Sequence, residues 1–211
     1  MVAFPKQKTR SNKVTVPDYL VREIINGRPW FYRGFRDVIL GIKQPEEVMA
    51  CSSLQSVMVN YLNTKLWNHL EDEPYWVMSN EVGNNLLNKD KTAYDVAVFD
   101  EKVLPPDKIN RYYPSVPPKL VIEVDLRVEV EKPATDDVLV QEKTQKVLDF
   151  GVEKVIWFFT KTQKVMIATA SGTWTITNWD REVELWEGLS VNIAAYLRKK
   201  GINPLDFIEK K

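Results

Sequence analysis

Cysteine and histidine are almost absent from this chain: its 211 residues contain one of each, Cys51 and His69. A lone cysteine excludes an internal disulfide. A lone histidine leaves too little for a zinc centre or a Ser-His-Asp relay. Any chemistry therefore falls to carboxylates, lysines, amides or a hard metal ion held by oxygen. Net charge is missing too, with 29 Lys and Arg against 29 Asp and Glu, so the basic excess of many nucleic-acid binders is absent. No stretch approaches the roughly 20 apolar residues needed to cross a bilayer, and the opening MVAFPKQKTRSNK has no apolar signal core. A cytoplasmic protein is expected.

The chain is 44% hydrophobic and 27% charged, enough to bury one core and too evenly mixed for disorder or a membrane span. A polar tail over 1–16 and a single domain over 17–211 are expected. The pattern predicts a short helix from Pro17 to Ile25, an irregular stretch or short strand from Arg28 to Ile39, and one long amphipathic helix from Pro45 to Leu70. Cys51 is expected to pack as a small apolar residue, and His69 to sit at the surface or cap that helix. Strands are predicted at Tyr75–Ser79, Asn84–Leu87 and Tyr94–Phe99. After the proline-rich connection Lys102 to Pro118, the run Lys119–Leu126 reads as a buried strand. A helix from Thr135 or Asp136 to Phe150, ended by Gly151, precedes a strand at Val155–Phe159, a hairpin around Ser171-Gly172 and a closing helix over Val191–Lys200. This order fits a mixed sheet flanked by helices.

In Lys119–Leu126 (KLVIEVDL), the two-residue period puts Val121, Glu123 and Asp125 on one face. Neighbouring carboxylates on a strand that favours burial need separation, protonation, a cation or a metal. The bland reading is a solvated strand face; the functional one is a site. Asp95 opens another apolar strand, as a turn residue or a ligand. On the 135–150 helix, Lys143 falls about 60° from the centre of the inner face and Lys146 about 120° away. Lys143 is the better placed to look inward, unless its stem alone is buried and its ammonium reaches solvent.

These residues resemble a family. Tyr94-Asp95-Val96-Ala97-Val98, Val121-Ile122-Glu123-Val124, Glu142-Lys143 and Gly151-Val152-Glu153-Lys154-Val155-Ile156-Trp157 are similar to the motifs of the Uma-two family of restriction endonucleases. Phe31-Tyr32-Arg33-Gly34-Phe35, Ser52-Ser53-Leu54-Gln55-Ser56 and Leu185-Trp186-Glu187-Gly188-Leu189 extend the likeness. The resemblance implies the PD-(D/E)XK nuclease fold, an α/β (α+β), restriction-endonuclease-like architecture with a central mixed sheet between helices. It implies Asp95, Glu123 and Lys143 as catalytic residues, with Asp95, Glu123 and the Val124 backbone carbonyl as metal ligands. Asp125 stands where the superfamily's strand lysine is common, so Lys143 would take the basic role. Tyr94 replaces the superfamily's proline, Val147 a helical tyrosine, and Gln55 a histidine of many members. Asp125 and Gln55 are additional candidates.

The implied activity is hydrolysis of DNA phosphodiester bonds with Mg²⁺, for which Mn²⁺ substitutes. DNA is the implied partner, and a homodimer would present two sites for cutting both strands. A rival reading is a catalytically inactive module that keeps the fold to bind nucleic acid or a protein. A third is an interaction domain presenting aromatics such as Trp30 and Phe31.

Overall fold

The computed structural model describes residues 16–132 and 134–207; most of the 1–16 tail lies outside them. A 3₁₀ turn at Asp18–Leu20 leads into β1 (Val21–Ile25) and β2 (Arg28–Tyr32). The expected helix over Pro17–Ile25 is therefore a strand and half of a hairpin. Asn26 and Gly27, at φ of 53° and 69°, form a turn in which both central residues are left-handed, the conformation whose twist matches paired strands. The β-branched Val21, Ile24 and Ile25 reinforce the extended state. Trp30 and Phe31, expected to be exposed, are buried, Trp30 completely.

Two short helices follow, α1 (Phe35–Ile39) and α2 (Pro45–Met49), then α3 (Ser53–Leu70). The single helix expected from Pro45 to Leu70 is broken at Ala50-Cys51-Ser52. Ser52, in extended conformation, caps the second piece by accepting the Gln55 N–H. A serine at this position satisfies an orphan donor and favours a fresh start over continuation. Cys51 lies exposed in the break, not packed inside. His69 is on the surface, with Nε2 3.0 Å from the Glu187 carbonyl.

The strands continue as β3 (Tyr75–Asn85), β4 (Lys91–Asp100), β5 (Leu120–Val124) and the short β6 (Val128–Glu129). Then come α4 (Asp136–Phe150), β7 (Lys154–Phe159), the hairpin β8 (Lys164–Thr169) and β9 (Trp174–Asn178), a small ribbon of β10 (Val183–Trp186) and β11 (Leu189–Val191), and α5 (Ile193–Lys199). The strands predicted separately at Tyr75–Ser79 and Asn84–Leu87 are one bulged strand. Nine strands form one mixed sheet, ordered β6-β2-β1-β4-β5-β7-β8-β9, with β3 also on β4. Among the described residues, only β5 and β7 are parallel, and α4 is the crossover such a pair requires.

Each sheet face is covered. Leu120, Ile122 and Val124 join Leu62 and Leu66 of α3, Leu197 of α5 and Leu185 in one core. Val121, Trp157 and Phe99 join Val140 and Val147 of α4 in the other. The alternation read from Lys119–Leu126 thus divides correctly between the layers as far as Val124.

The sheet forks at β4. β3 pairs along one edge of β4 from Lys91 to Asp100. The other edge is shared by β5, at Val96–Val98, and by β1, at Lys91. Between these pairings, Thr92 to Asp95 have no strand on that edge among the described residues, and the candidate residues gather there.

Asp90 secures the fork. Its carboxylate accepts the N–H groups of Asn26 (2.9 Å) and Gly27 (2.8 Å) and meets Lys146 Nζ at 2.7 Å. Burial pushes this carboxyl up, but those partners outweigh it and hold it below the usual range. Asp90→Ala is expected to cost about 2–4 kcal/mol, read as a lower urea midpoint, because the hairpin turn and α4 lose their shared acceptor. A lowered carboxyl stabilises above its unfolded value near about 3.9 and stops doing so as pH falls through the folded value. The gap between wild type and variant should therefore narrow in acid.

Candidate active site

Lys143 Nζ, on α4, is the centre of the site. It lies 2.7 Å from Glu23 Oε1 and 2.8 Å from Glu123 Oε1, and donates to the Ala93 carbonyl at 3.0 Å. It also sits 5.7 Å and 5.9 Å from the ring centroids of Trp157 and Tyr94. Lys143 and Glu123 are each 3% exposed, and Glu23 is 2% exposed. The inward orientation expected from the helical angle is observed, and the ammonium does not reach solvent. Burial alone would lower the Lys143 pKa, but Glu123 and Glu23 outweigh it and raise the value. The lysine is held charged.

Glu123 experiences the opposite balance. Burial pushes its carboxyl up to about 8, against the pull of Lys143 and with added repulsion from Asp95 and Glu23. Its Oε1 pairs with Lys143 at 2.8 Å, and a carboxylate with one such partner keeps acceptor capacity. Asp95 is likewise raised, chiefly by burial, although its Oδ2 accepts the Val124 N–H at 2.7 Å. Gln55 of α3 donates through Nε2 to the Val124 carbonyl at 2.9 Å and to Asp95 Oδ2 at 3.4 Å. Asp95, Glu123, Val124 and Lys143 are thus brought together, with Gln55 bridging two of them.

Asp125 leaves this group. At φ 62° the strand alternation fails, and the carboxylate turns to accept the Thr160 N–H (2.7 Å) and hydroxyl (2.5 Å). An aspartate tolerates the left-handed conformation and here stitches the end of β5 to the end of β7.

Glu23 was not found by sequence reasoning. Its Oε2 accepts the Thr92 hydroxyl at 3.0 Å, and Arg22 lies 3.8 Å from Oε1. The available signal was Asn26-Gly27 preceded by an apolar run: read as a hairpin, it makes Val-Arg-Glu-Ile-Ile a strand and aligns Glu23 with Val21 and Ile25.

A cleft of about 380 Å³ reaches Asp95, lined also by Gln55, Asn80, Glu81 and Arg127. Arg127 bridges to Glu81 at 3.0 Å and donates to the carbonyls of Met49 and Ala50. Among the described residues, no three His, Cys, Asp or Glu side chains converge as a metal cage. The donors are two carboxylates and one carbonyl. That set fits Mg²⁺, which binds through one or two carboxylates and keeps several waters.

The fold has a counterpart among solved structures. A protein from Anabaena variabilis ATCC 29413, described as a "putative nuclease belonging to DUF820", superposes with a TM-score of 0.60 at 12% identity, covering 81% of this chain and 86% of that chain. DUF820 is the Uma-two family whose motifs the sequence resembles. The chain shares the fold of that protein, a large mixed sheet flanked by helices. No family model and no curated protein matches the sequence. Among the described residues, no helix is long and apolar enough to cross a membrane.

Proposed function

We propose that this protein is a Mg²⁺-dependent endonuclease that hydrolyses DNA phosphodiester bonds, acting as a homodimer when both strands are cut. The observation that carries this reading is the convergence of two buried carboxylates, Asp95 and Glu123, with a charged, buried Lys143 at the fork of β4. Asp95, Glu123 and the Val124 carbonyl would hold the metal. When bound, it supplies Lewis-acid polarisation of the phosphate and a more acidic water. Gln55 orients the Asp95 carboxylate and the Val124 carbonyl. Lys143, kept cationic by Glu23, neutralises charge developing on the phosphate or holds the attacking water. The nuclease fold of the Anabaena protein supports the reaction class by analogy.

The test is titration of wild type and Glu123→Ala with Mg²⁺ or Mn²⁺, followed by cleavage assays on linear, circular and branched DNA. Metal binding lost with Glu123 and cleavage by wild type are expected. Equal metal binding by the two proteins would remove the site. Binding of metal without cleavage of any substrate would leave a nuclease-fold binding module.

A further inference from the structure

The bulge in β3 places a second feature beside the site. Ser79 pairs with Val96 and Val82 with Tyr94, so Asn80 and Glu81, at φ of 75° and 56°, stand opposite Asp95. Asn80 lines both the cleft that reaches Asp95 and a cavity of about 660 Å³. The far wall of that cavity is the proline-rich connection after β4, with Lys108, Arg111, Tyr112 and Tyr113.

This wall is anchored. Asn84 Nδ2 donates to the Pro114 and Val116 carbonyls at 3.2 and 3.0 Å, and Asn85 Nδ2 to the Tyr113 carbonyl at 2.9 Å. The Tyr113 ring lies so close to Gly83 that a β-carbon there would stand 2.4 Å from it. A glycine is thus required for the ring to lie against the strand. Even so, Tyr113 is 56% exposed and Tyr112 72% exposed, while the Arg111 guanidinium lies 5.7 Å from the Tyr112 ring centroid. The anchored loop presents two aromatic rings and two cations to solvent, packed against β3, whose bulge stands opposite Asp95.

The geometry points to a binding site for unpaired DNA: Tyr112 and Tyr113 stack on bases, Asn80 meets a base edge, and Lys108 and Arg111 meet the backbone. Aromatic faces interleaved with cations are the features by which proteins hold single strands, whereas a duplex hides its base faces. A peptide partner would use the aromatics but gives no reason for Asn80 to line both this cavity and the cleft that reaches Asp95. This inference deepens the nuclease reading by assigning its substrate class, DNA with a single-stranded segment, and rests on that reading only for the cleavage step.

The test separates the two. Glu123→Gln protein in EDTA is mixed with a fluorescent oligothymidylate or with a blunt duplex of equal length, and anisotropy gives the Kd of each. Tighter binding of the single strand is expected, weakened roughly 5- to 100-fold by adding Tyr112→Ala and little changed by Tyr113→Phe, which keeps the ring. Tyr112 is exposed, and circular dichroism checks the fold of each variant. Equal affinity for single strand and duplex, or no effect of Tyr112→Ala, overturns the inference. No cleavage occurs in this experiment, so a protein that hydrolyses nothing still answers it. A nuclease that cuts blunt duplex yet shows no single-strand preference keeps its function and loses this site.

Discussion

Lys143→Met is expected to destabilise the protein by about 3–5 kcal/mol, the range for removing one partner of a buried ion pair. For a chain of this size that is a fall of roughly 6–20 °C in Tm. Methionine approximates the volume of the lysine stem, so packing against Trp157 and Tyr94 is largely kept and the electrostatic loss is isolated. Glu23 and Glu123, both almost fully buried, would be left facing each other without a cation. Urea unfolding above about pH 8, where the wild-type Glu123 carboxyl is ionised, measures the effect. Neutralising the stranded pair, as Glu23→Gln and Glu123→Gln in the Lys143→Met background, should recover most of the loss, because the cost belongs to uncompensated charge. A single variant within about 1 kcal/mol of wild type would show that Lys143 does not hold the two carboxylates.

Glu123→Gln should act oppositely on stability and activity. Cleavage is expected to fall by about 10³-fold or more, since a metal site supplies several kcal/mol of transition-state stabilisation. The fold should survive, because Lys143 retains Glu23 at 2.7 Å. The pH dependence identifies the group. Burial places the folded Glu123 carboxyl at about 8, above an unfolded value near about 4.3. The folded state therefore binds the proton more tightly, and this contribution is full below the unfolded value and lost as pH rises through about 8. Wild-type Tm should decline over that window, and Glu123→Gln should lose that part of the decline. Identical Tm profiles would rule out Glu123 as the buried titrating group. Metal affinity should rise across the same window, as the proton leaves the ligand.

Legibility followed the range of the interactions. The β5-α4-β7 unit could be read directly, because strand alternation in KLVIEVDL, helical periodicity ended by Gly151 and the apolar run VIWFF are properties of a few consecutive residues. Lys143 could be oriented for the same reason: its angle on α4 depends on the helix alone. Leu20 to Ile25 could not be read safely, since apolar residues over so short a segment suit a helix turn or a strand. A helix over this segment gives Glu23 no place beside Lys143. The apolar spacing of Pro45–Leu70 continues across Ser52, whose side chain starts a new helix, so periodicity alone merges the two.

Local periodicity specifies the separate elements, the buried strand bearing Glu123 and the inward lysine, and persists whatever the rest of the chain does. What that lysine meets is set by contacts between distant segments. Glu23 lies 120 residues before Lys143, and the two join because β1 takes over the edge of β4 where β5 ends. Asp125 was turned away by one left-handed residue. Register and edge sharing arise from pairing between distant segments, and no local pattern records them.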